Sequence, residues 1–186
     1  EGVLIIAVGR RYTKQLSLFQ DMPKTYEFST RLGQQTDTLD PEGSLVKEAN
    51  VNDDLSEKDI LSVLERFKGT LSQIPPDFSA KHINGERAYT LARAGKDIKL
   101  NAHEITIFEY TLLNVTKKEY IDIACRVTCS KGTYVRALSR DLATELGTVG
   151  YTMSLTRTKI GPYSIEGAIH YDELTTEALE KNVFRD

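Results

Sequence analysis

Ile121, Ile123, Cys125, Val127 and Cys129 alternate with Asp122, Ala124, Arg126, Thr128 and Ser130, the clearest period of two in the chain. Successive side chains of a strand point to opposite faces, so 120–130 is predicted as a strand with one buried face. Tyr26, Phe28, Thr30 and Leu32 alternate in the same way with Thr25, Glu27, Ser29 and Arg31, and Gly33 closes that half-buried strand. Val3 to Val8 is a short β-branched run ending at Gly9, read as a buried strand. Residues 103–113 and 151–159 also read as strands, the latter ended by Gly161-Pro162.

The period changes to a helical one in two places. Ser56 is a candidate N-cap for a helix whose apolar face is Ile60, Leu61, Leu64 and Phe67, with Gly69 as its stop. After the turn SKGT, Val135, Leu138, Leu142 and Leu146 form one stripe before Gly147. HYDELTTEALEK predicts a last helix. The stretch SQIPPDFSAKHINGE is punctuated by Pro and Gly, and a short helical piece is expected from Arg87 to Ala94. So elaborate a connection inside a compact domain usually serves function or motion. Hairpin-length connections dominate elsewhere. They predict an α+β fold with a mixed, mostly antiparallel sheet flanked by helices and a thumb-like insertion at about 70–100.

The chain has 186 residues, enough for one domain, with 40% hydrophobic and 27% charged residues. No apolar run approaches the roughly 20 residues of a membrane helix, and no signal peptide is evident. Cys125 and Cys129 would lie about 13 Å apart along a strand, beyond disulfide reach. They read as core thiols of a reducing cytosol.

The net charge of −3 hides an asymmetry. Asp37, Asp40, Glu42, Glu48, Asp53, Asp54, Glu57 and Asp59 crowd residues 37–59. Lys81, Arg87, Arg93, Lys96 and Lys99 dominate residues 81–99. Arg126, Lys131, Arg136 and Arg140 stand in 126–140 without an acid. Such local basic patches can grip phosphates, or they can be solvated faces.

CSKGTYVRALSRDL is the most suggestive segment for chemistry. It delivers Tyr134 and Arg136 at the first turn of an amphipathic helix, and Arg136 falls off the apolar stripe. There it can hold a carboxylate or a phosphate in a fork, or simply be an exposed helix arginine. Asp37 and Asp40 read first as turn chemistry, bonding local N–H groups. A general acid/base pair or a metal site is the other reading. No Ser-His-Asp or His-Cys spacing stands out.

Five segments in order resemble the TruB family of bacterial tRNA pseudouridine synthases. EGVLIIAVGRRYTK is similar to the tail of the family's catalytic motif. KTYEFSTRLGQQTDTLDPEG resembles its K-x-Y…RLG-x-x-T-D-T-x-D-x-x-G segment, and QIPPDFSAKHINGERAYTLARAG its thumb insertion. CSKGTYVRALSRDL resembles its arginine motif, and LTRTKIGPYSI the strand that follows. The thumb favours the stand-alone bacterial enzyme over relatives that work within guide-RNA particles.

The resemblance implies a pseudouridine synthase fold and isomerisation of the T-loop uridine at position 55 of tRNA, with the base flipped out of its stack. It implies a cytoplasmic monomer that binds the T-arm and needs neither metal nor cofactor. Tyr26 would stack on the flipped base and serve in proton removal at carbon. Leu155 would cover the other side of the base, Tyr134 would line the pocket, and Asp40 would lie at its edge. Arg136 would pair with the nucleophilic aspartate. Lys81, Arg87 and Arg93 would grip the RNA backbone, while His82 and Glu86 stand where the family often has basic residues.

Two departures follow from the same resemblance. The family's aspartate lies in a G-x-L-D-P-x-A segment just ahead of the position of Glu1, so these 186 residues are expected to be a partial catalytic domain without it. Thr38-Leu39-Asp40-Pro41 imitates that motif, but it follows RLGQQTD, where the family has its separate acidic turn. No C-terminal PUA domain is expected within this chain. The competing functions are a catalytically silent tRNA-binding or folding module and a hydrolase built on Asp37 and Asp40.

Overall fold

The computed structural model describes residues 1–79, 82–83, 86–87, 89–90 and 100–177. Two short helices, α1 (Arg10–Thr13) and α2 (Leu16–Asp21), lead into β1 (Lys24–Leu32). A ribbon follows, β2 (Gln34–Thr36) with β3 (Leu45–Glu48), then α3 (Glu57–Arg66) and β4 (Gly69–Gln73). The insertion carries a second ribbon, β5 (His82–Ile83) with β6 (Glu86–Arg87). Then come β7 (His103–Lys117), β8 (Ile121–Cys129), α4 (Val135–Glu145), β9 (Gly150–Ile160) and β10 (Tyr163–Ser164).

Six strands form one sheet in the order β10-β9-β1-β8-β7-β4, with every neighbouring pair antiparallel. The α+β expectation holds, and among the described residues parallel pairing is confined to one bridge, Gly2 with Arg157. β8 shows why alternation was a good guide. Ile123, Cys125, Val127 and Cys129 are 0% exposed, and the pairing Lys24↔Cys129, Tyr26↔Val127, Phe28↔Cys125 puts the even residues of β1 on the same face. α3 and α4 cover that face. Both cysteines are free thiols. Burial pushes Cys125 up to about 12 and Cys129 up to about 11.

Ser56 caps α3 in a reciprocal box with Asp59. The buried stripe of α3 is Ile60, Val63, Leu64 and Phe67, whereas Leu61 is 48% exposed. A helix turns 100° per residue, so the spacing 60, 63, 64, 67 keeps one face and position 61 leaves it. α3 ends at Arg66, and Gly69, in the left-handed region at φ 94°, opens edge strand β4, which the sequence pattern did not suggest.

α4 lies tight on the sheet. A Cβ at Gly150 would come within 2.6 Å of the Ala143 Cβ and 2.8 Å of the Arg31 carbonyl oxygen. One turn earlier, the buried Ser139 hydroxyl accepts hydrogen bonds from Thr30 Oγ1 (2.9 Å) and Thr152 Oγ1 (2.7 Å).

One expectation fails, and two others are met only in part. Residues 3–8 form no strand: Val3 is buried, but Leu4, Ile6 and Val8 are 69%, 66% and 78% exposed. Only the first three residues reach the edge of β9, and a β-branched run without a hydrogen-bonding neighbour is not a strand. Arg87 lies in β6 rather than opening a helix, Tyr89 and Thr90 are helical, and the rest of the expected helical piece lies outside the described residues. Residues 171–173 form a single 3₁₀ turn, capped by the His170 side chain, Thr176 and Glu177 are helical, and the rest of the expected last helix falls outside the described residues. Among the described residues no helix is long and apolar enough to cross a membrane.

Candidate RNA-modification site

The acidic turn between β2 and β3 is built by its own side chains. Asp37 Oδ1 accepts from the Ser44 N–H (2.9 Å), and Asp40 Oδ1 accepts from the Glu42 N–H (3.1 Å) and the Thr38 hydroxyl (2.6 Å). A Cβ on Gly43 would strike Asp37 Oδ1 and Thr38 Oγ1, so the turn requires glycine there. Leu39 adopts φ 61°, a left-handed conformation that costs a non-glycine residue roughly 1–2 kcal/mol. Burial of its side chain and the bond from the Thr152 N–H to its carbonyl (3.1 Å) hold it there. Asp37 and Asp40 thus do turn chemistry, as their setting suggests. Among the described residues no three His, Cys, Asp or Glu side chains gather as metal ligands.

Against this turn stands the N-terminal end of α4. Arg136 Nη1 donates to the Thr38 carbonyl (2.7 Å) and to Asp40 Oδ2 (2.9 Å), while Nη2 donates to the Phe78 carbonyl (2.7 Å). Arg136 is therefore no free helix arginine. It ties the acidic turn, α4 and the first leg of the insertion together. Tyr134, the N-cap residue of α4, has its ring edge-on to His103 at 6.0 Å.

Tyr26 and Leu155 lie on the helix-covered face of the sheet, as the pairings Tyr26↔Arg157 and Phe28↔Leu155 require. The structure therefore puts Tyr26, Leu155, Tyr134, Arg136 and Asp40 on one side of the sheet. Burial chiefly, and Cys129 secondarily, push the Tyr26 phenol up, and a hydrogen bond from Arg157 opposes this. Lys81 and Arg93 fall outside the described residues, and of Arg87 only the backbone is described. A separate groove of about 400 Å³ lies between α3, β4 and α4, and none of the predicted pocket residues lines it.

The structure also brings in residues that the sequence did not single out. Arg157 shares the face of Leu155 and reaches Tyr26, a position that alternation from Leu155 would have given. Lys24 Nζ donates to the Phe19, Gln20 and Met22 carbonyls and so caps α2. Gln73 and Arg140 act on the insertion, and no sequence pattern signals them. The apparent basic patch at 126–140 is neutralised by folding: Arg126 meets Glu27 (2.6 Å), Lys131 meets Asp21 (2.6 Å), Arg136 meets Asp40, and Arg140 meets Asp141 (2.8 Å).

Comparison with known proteins fits this arrangement. Residues 1–135 match the family model described as TruB family pseudouridylate synthase (N terminal domain). The tRNA pseudouridine synthase B of Thermobifida fusca (strain YX) is 40% identical over 181 residues, covering 95% of this chain and 61% of that protein. Its counterpart in Rickettsia akari (strain Hartford) is 42% identical over 184 residues, covering 97% of this chain and 61% of that protein. The chain thus spans about three fifths of the length of these curated relatives. A chain in the crystal structure of a Cbf5-Nop10-Gar1 complex superposes with a TM-score of 0.64 at 22% identity, over 92% of this chain and 40% of that one, which supports the fold alone. From a family match over residues 1–135 and close relatives along almost its whole length, the chain belongs to the TruB family of pseudouridylate synthases.

Proposed function

We propose that the protein isomerises the uridine at position 55 in the T-loop of tRNA to pseudouridine, acting on a base flipped out of its stack. In that reaction the C1′–N1 bond breaks, the uracil turns, a C1′–C5 bond forms, and a proton leaves C5 while N1 regains one. The flipped uracil stacks on Tyr26 and is covered by Leu155, with Tyr134 along the pocket wall. Tyr26 serves in removing the C5 proton. Lys81, Arg87 and Arg93 hold phosphates of the T-arm and position it without reading its bases.

The observation that carries this reading is Arg136. Its guanidinium is fixed by three acceptors, Asp40 Oδ2 among them, on the face that bears Tyr26. A guanidinium so fixed keeps a neighbouring carboxylate ionised and oriented. The nucleophile in this reading is the aspartate of the family's G-x-L-D-P-x-A segment, held by Arg136. The bonds from Val3 N to the Arg157 carbonyl (2.9 Å), Arg157 N to the Glu1 carbonyl (3.2 Å) and Glu1 N to the Leu155 carbonyl (3.2 Å) hold the N-terminal segment alongside Leu155 and Arg157 at the edge of β9.

The test uses the full-length protein and a tRNA transcript tritiated at uracil C5. Pseudouridine formation releases the label to water. Tyr26→Phe is expected to bind tRNA as the unchanged protein does and to lose product formation by about 100-fold, the scale of a lost acid/base group. Tight binding of tRNA by the unchanged protein without tritium release would instead establish a silent RNA-binding module.

A further inference from the structure

The insertion leaves the sheet at Gln73 and returns at His103, which are register partners in β4 and β7. At this neck the chain is fastened to the segment that presents Tyr134 and Arg136. Gln73 is 2% exposed, and its side-chain amide imitates a strand neighbour: Oε1 accepts from the Tyr134 N–H (2.9 Å) and Nε2 donates to the Tyr134 carbonyl (3.2 Å). His103 Nε2 donates to the Gly132 carbonyl (2.9 Å).

Beyond the neck, the first leg of the insertion runs antiparallel to α4. Arg140 Nη2 donates to the Ile74 carbonyl (2.9 Å), and one turn earlier Arg136 Nη2 donates to the Phe78 carbonyl (2.7 Å). Pro75 and Pro76 lie between these two anchor points and are buried. Proline has a fixed φ and no N–H, so the leg is stiff and its carbonyls depend on outside donors. Arg140 is itself steadied by its neighbour Asp141. Arg136 therefore takes one of its three acceptors from a leg whose position is set by Arg140 and Gln73.

We infer that Arg140 is a positioning residue: by holding the Ile74 carbonyl it keeps the insertion's first leg on α4 and so fixes the Phe78 acceptor that orients Arg136. Arg140 need not touch RNA or the reacting base for this. Without it the leg swings from α4, Arg136 loses the Phe78 carbonyl, and the guanidinium leaves its working geometry. A displacement on the order of 1 Å in such a group costs up to about 100-fold in rate.

The rate arm of the test rests on the function proposed above, and the exchange arm does not. In the full-length protein, Arg140→Ala should lower the single-turnover rate at saturating tRNA about tenfold, with the tRNA Kd changed less than about twofold. Hydrogen exchange at the Asp77, Phe78 and Ser79 amides should become faster. Arg140→Lys, which still reaches the Ile74 carbonyl, should recover most of both. An unchanged exchange pattern overturns the inference. So does a weaker Kd with an unchanged saturating rate, since Arg140 would then be a phosphate contact. If the unchanged protein forms no pseudouridine, the function proposed above fails, and exchange alone decides whether Arg140 holds the leg.

Discussion

Arg31 meets Asp122 at 2.8 Å with side chains 21% and 28% exposed, and Arg136 meets Asp40 at 2.9 Å with side chains 24% and 25% exposed. By length and exposure the pairs are twins, yet their geometry separates them. Arg31 and Asp122 are register partners on adjacent strands, joined by two parallel bonds, with the Tyr120 ring 4.5 Å from the guanidinium. That fork raises the Arg31 pKa further and spends both carboxylate oxygens. Arg136, on α4, shares Nη1 between Asp40 Oδ2 and the Thr38 carbonyl of the same turn and gives Nη2 to the Phe78 carbonyl of the insertion. The first pair closes a contact between neighbours. The second gathers three distant segments at one point and leaves the arginine able to share a second carboxylate. An ion pair's part in function is thus read from what else the arginine holds, not from its length.

Arg136→Lys tests this difference most severely. A lysine cannot serve the three acceptors from one plane, so pseudouridine formation should fall about 100-fold or more while tRNA binding persists. A rate within threefold of the original would make the two pairs equivalent after all. Gly43→Ala acts on the Asp40 side by forcing a methyl group against Asp37 and Thr38. A loss of about tenfold in rate is expected, a smaller effect than removing the arginine's geometry. Unaltered turnover would show that the acidic turn does not orient Arg136.

Alkaline titration separates both pairs from the core beneath them. Cys125 and Cys129, at about 12 and about 11 in the fold, ionise near 9 once unfolded. Their contribution is complete below pH 9 and disappears between 9 and 12, because the unfolded chain then releases protons that the folded chain keeps. At pH 10 the loss should be about 1 kcal/mol per thiol, followed by urea unfolding, and the double change to alanine should remove it. The smallest effect belongs to Arg31→Leu: about 1 kcal/mol of stability, and a rate within twofold, since the cross-strand pair with Asp122 and the Tyr120 contact lie away from the site.

The sequence exposed those parts of the fold whose pattern is local. Alternation in β1 and β8 and the 3.6-residue stripe of α4 named most of their large buried side chains, though not the small Ala137, Ser139 and Ala143 beneath α4, and Ser56 announced its own cap. Val3–Val8 misled because strand propensity says nothing about whether a neighbour is present. β4 was missed because only Gln73 of its five residues is buried. Within the candidate site, Arg136 stood out by falling off an apolar stripe, and Tyr26 by lying in a clear strand. Gln73 and Arg140 were invisible, because their acceptors are backbone atoms 61 and 66 residues away, and no side-chain pattern encodes such a partner.

The hydroxyls of Thr30, Thr152 and Ser139 act as a key in a slot. Were α4 to slide by even one residue, Ser139 would rotate away and two threonine oxygens would face dry hydrocarbon, an expense of roughly 1–3 kcal/mol for each group left unpaired. The helix is thereby indexed along its axis, and the guanidinium three residues upstream inherits a fixed height above the floor of the sheet.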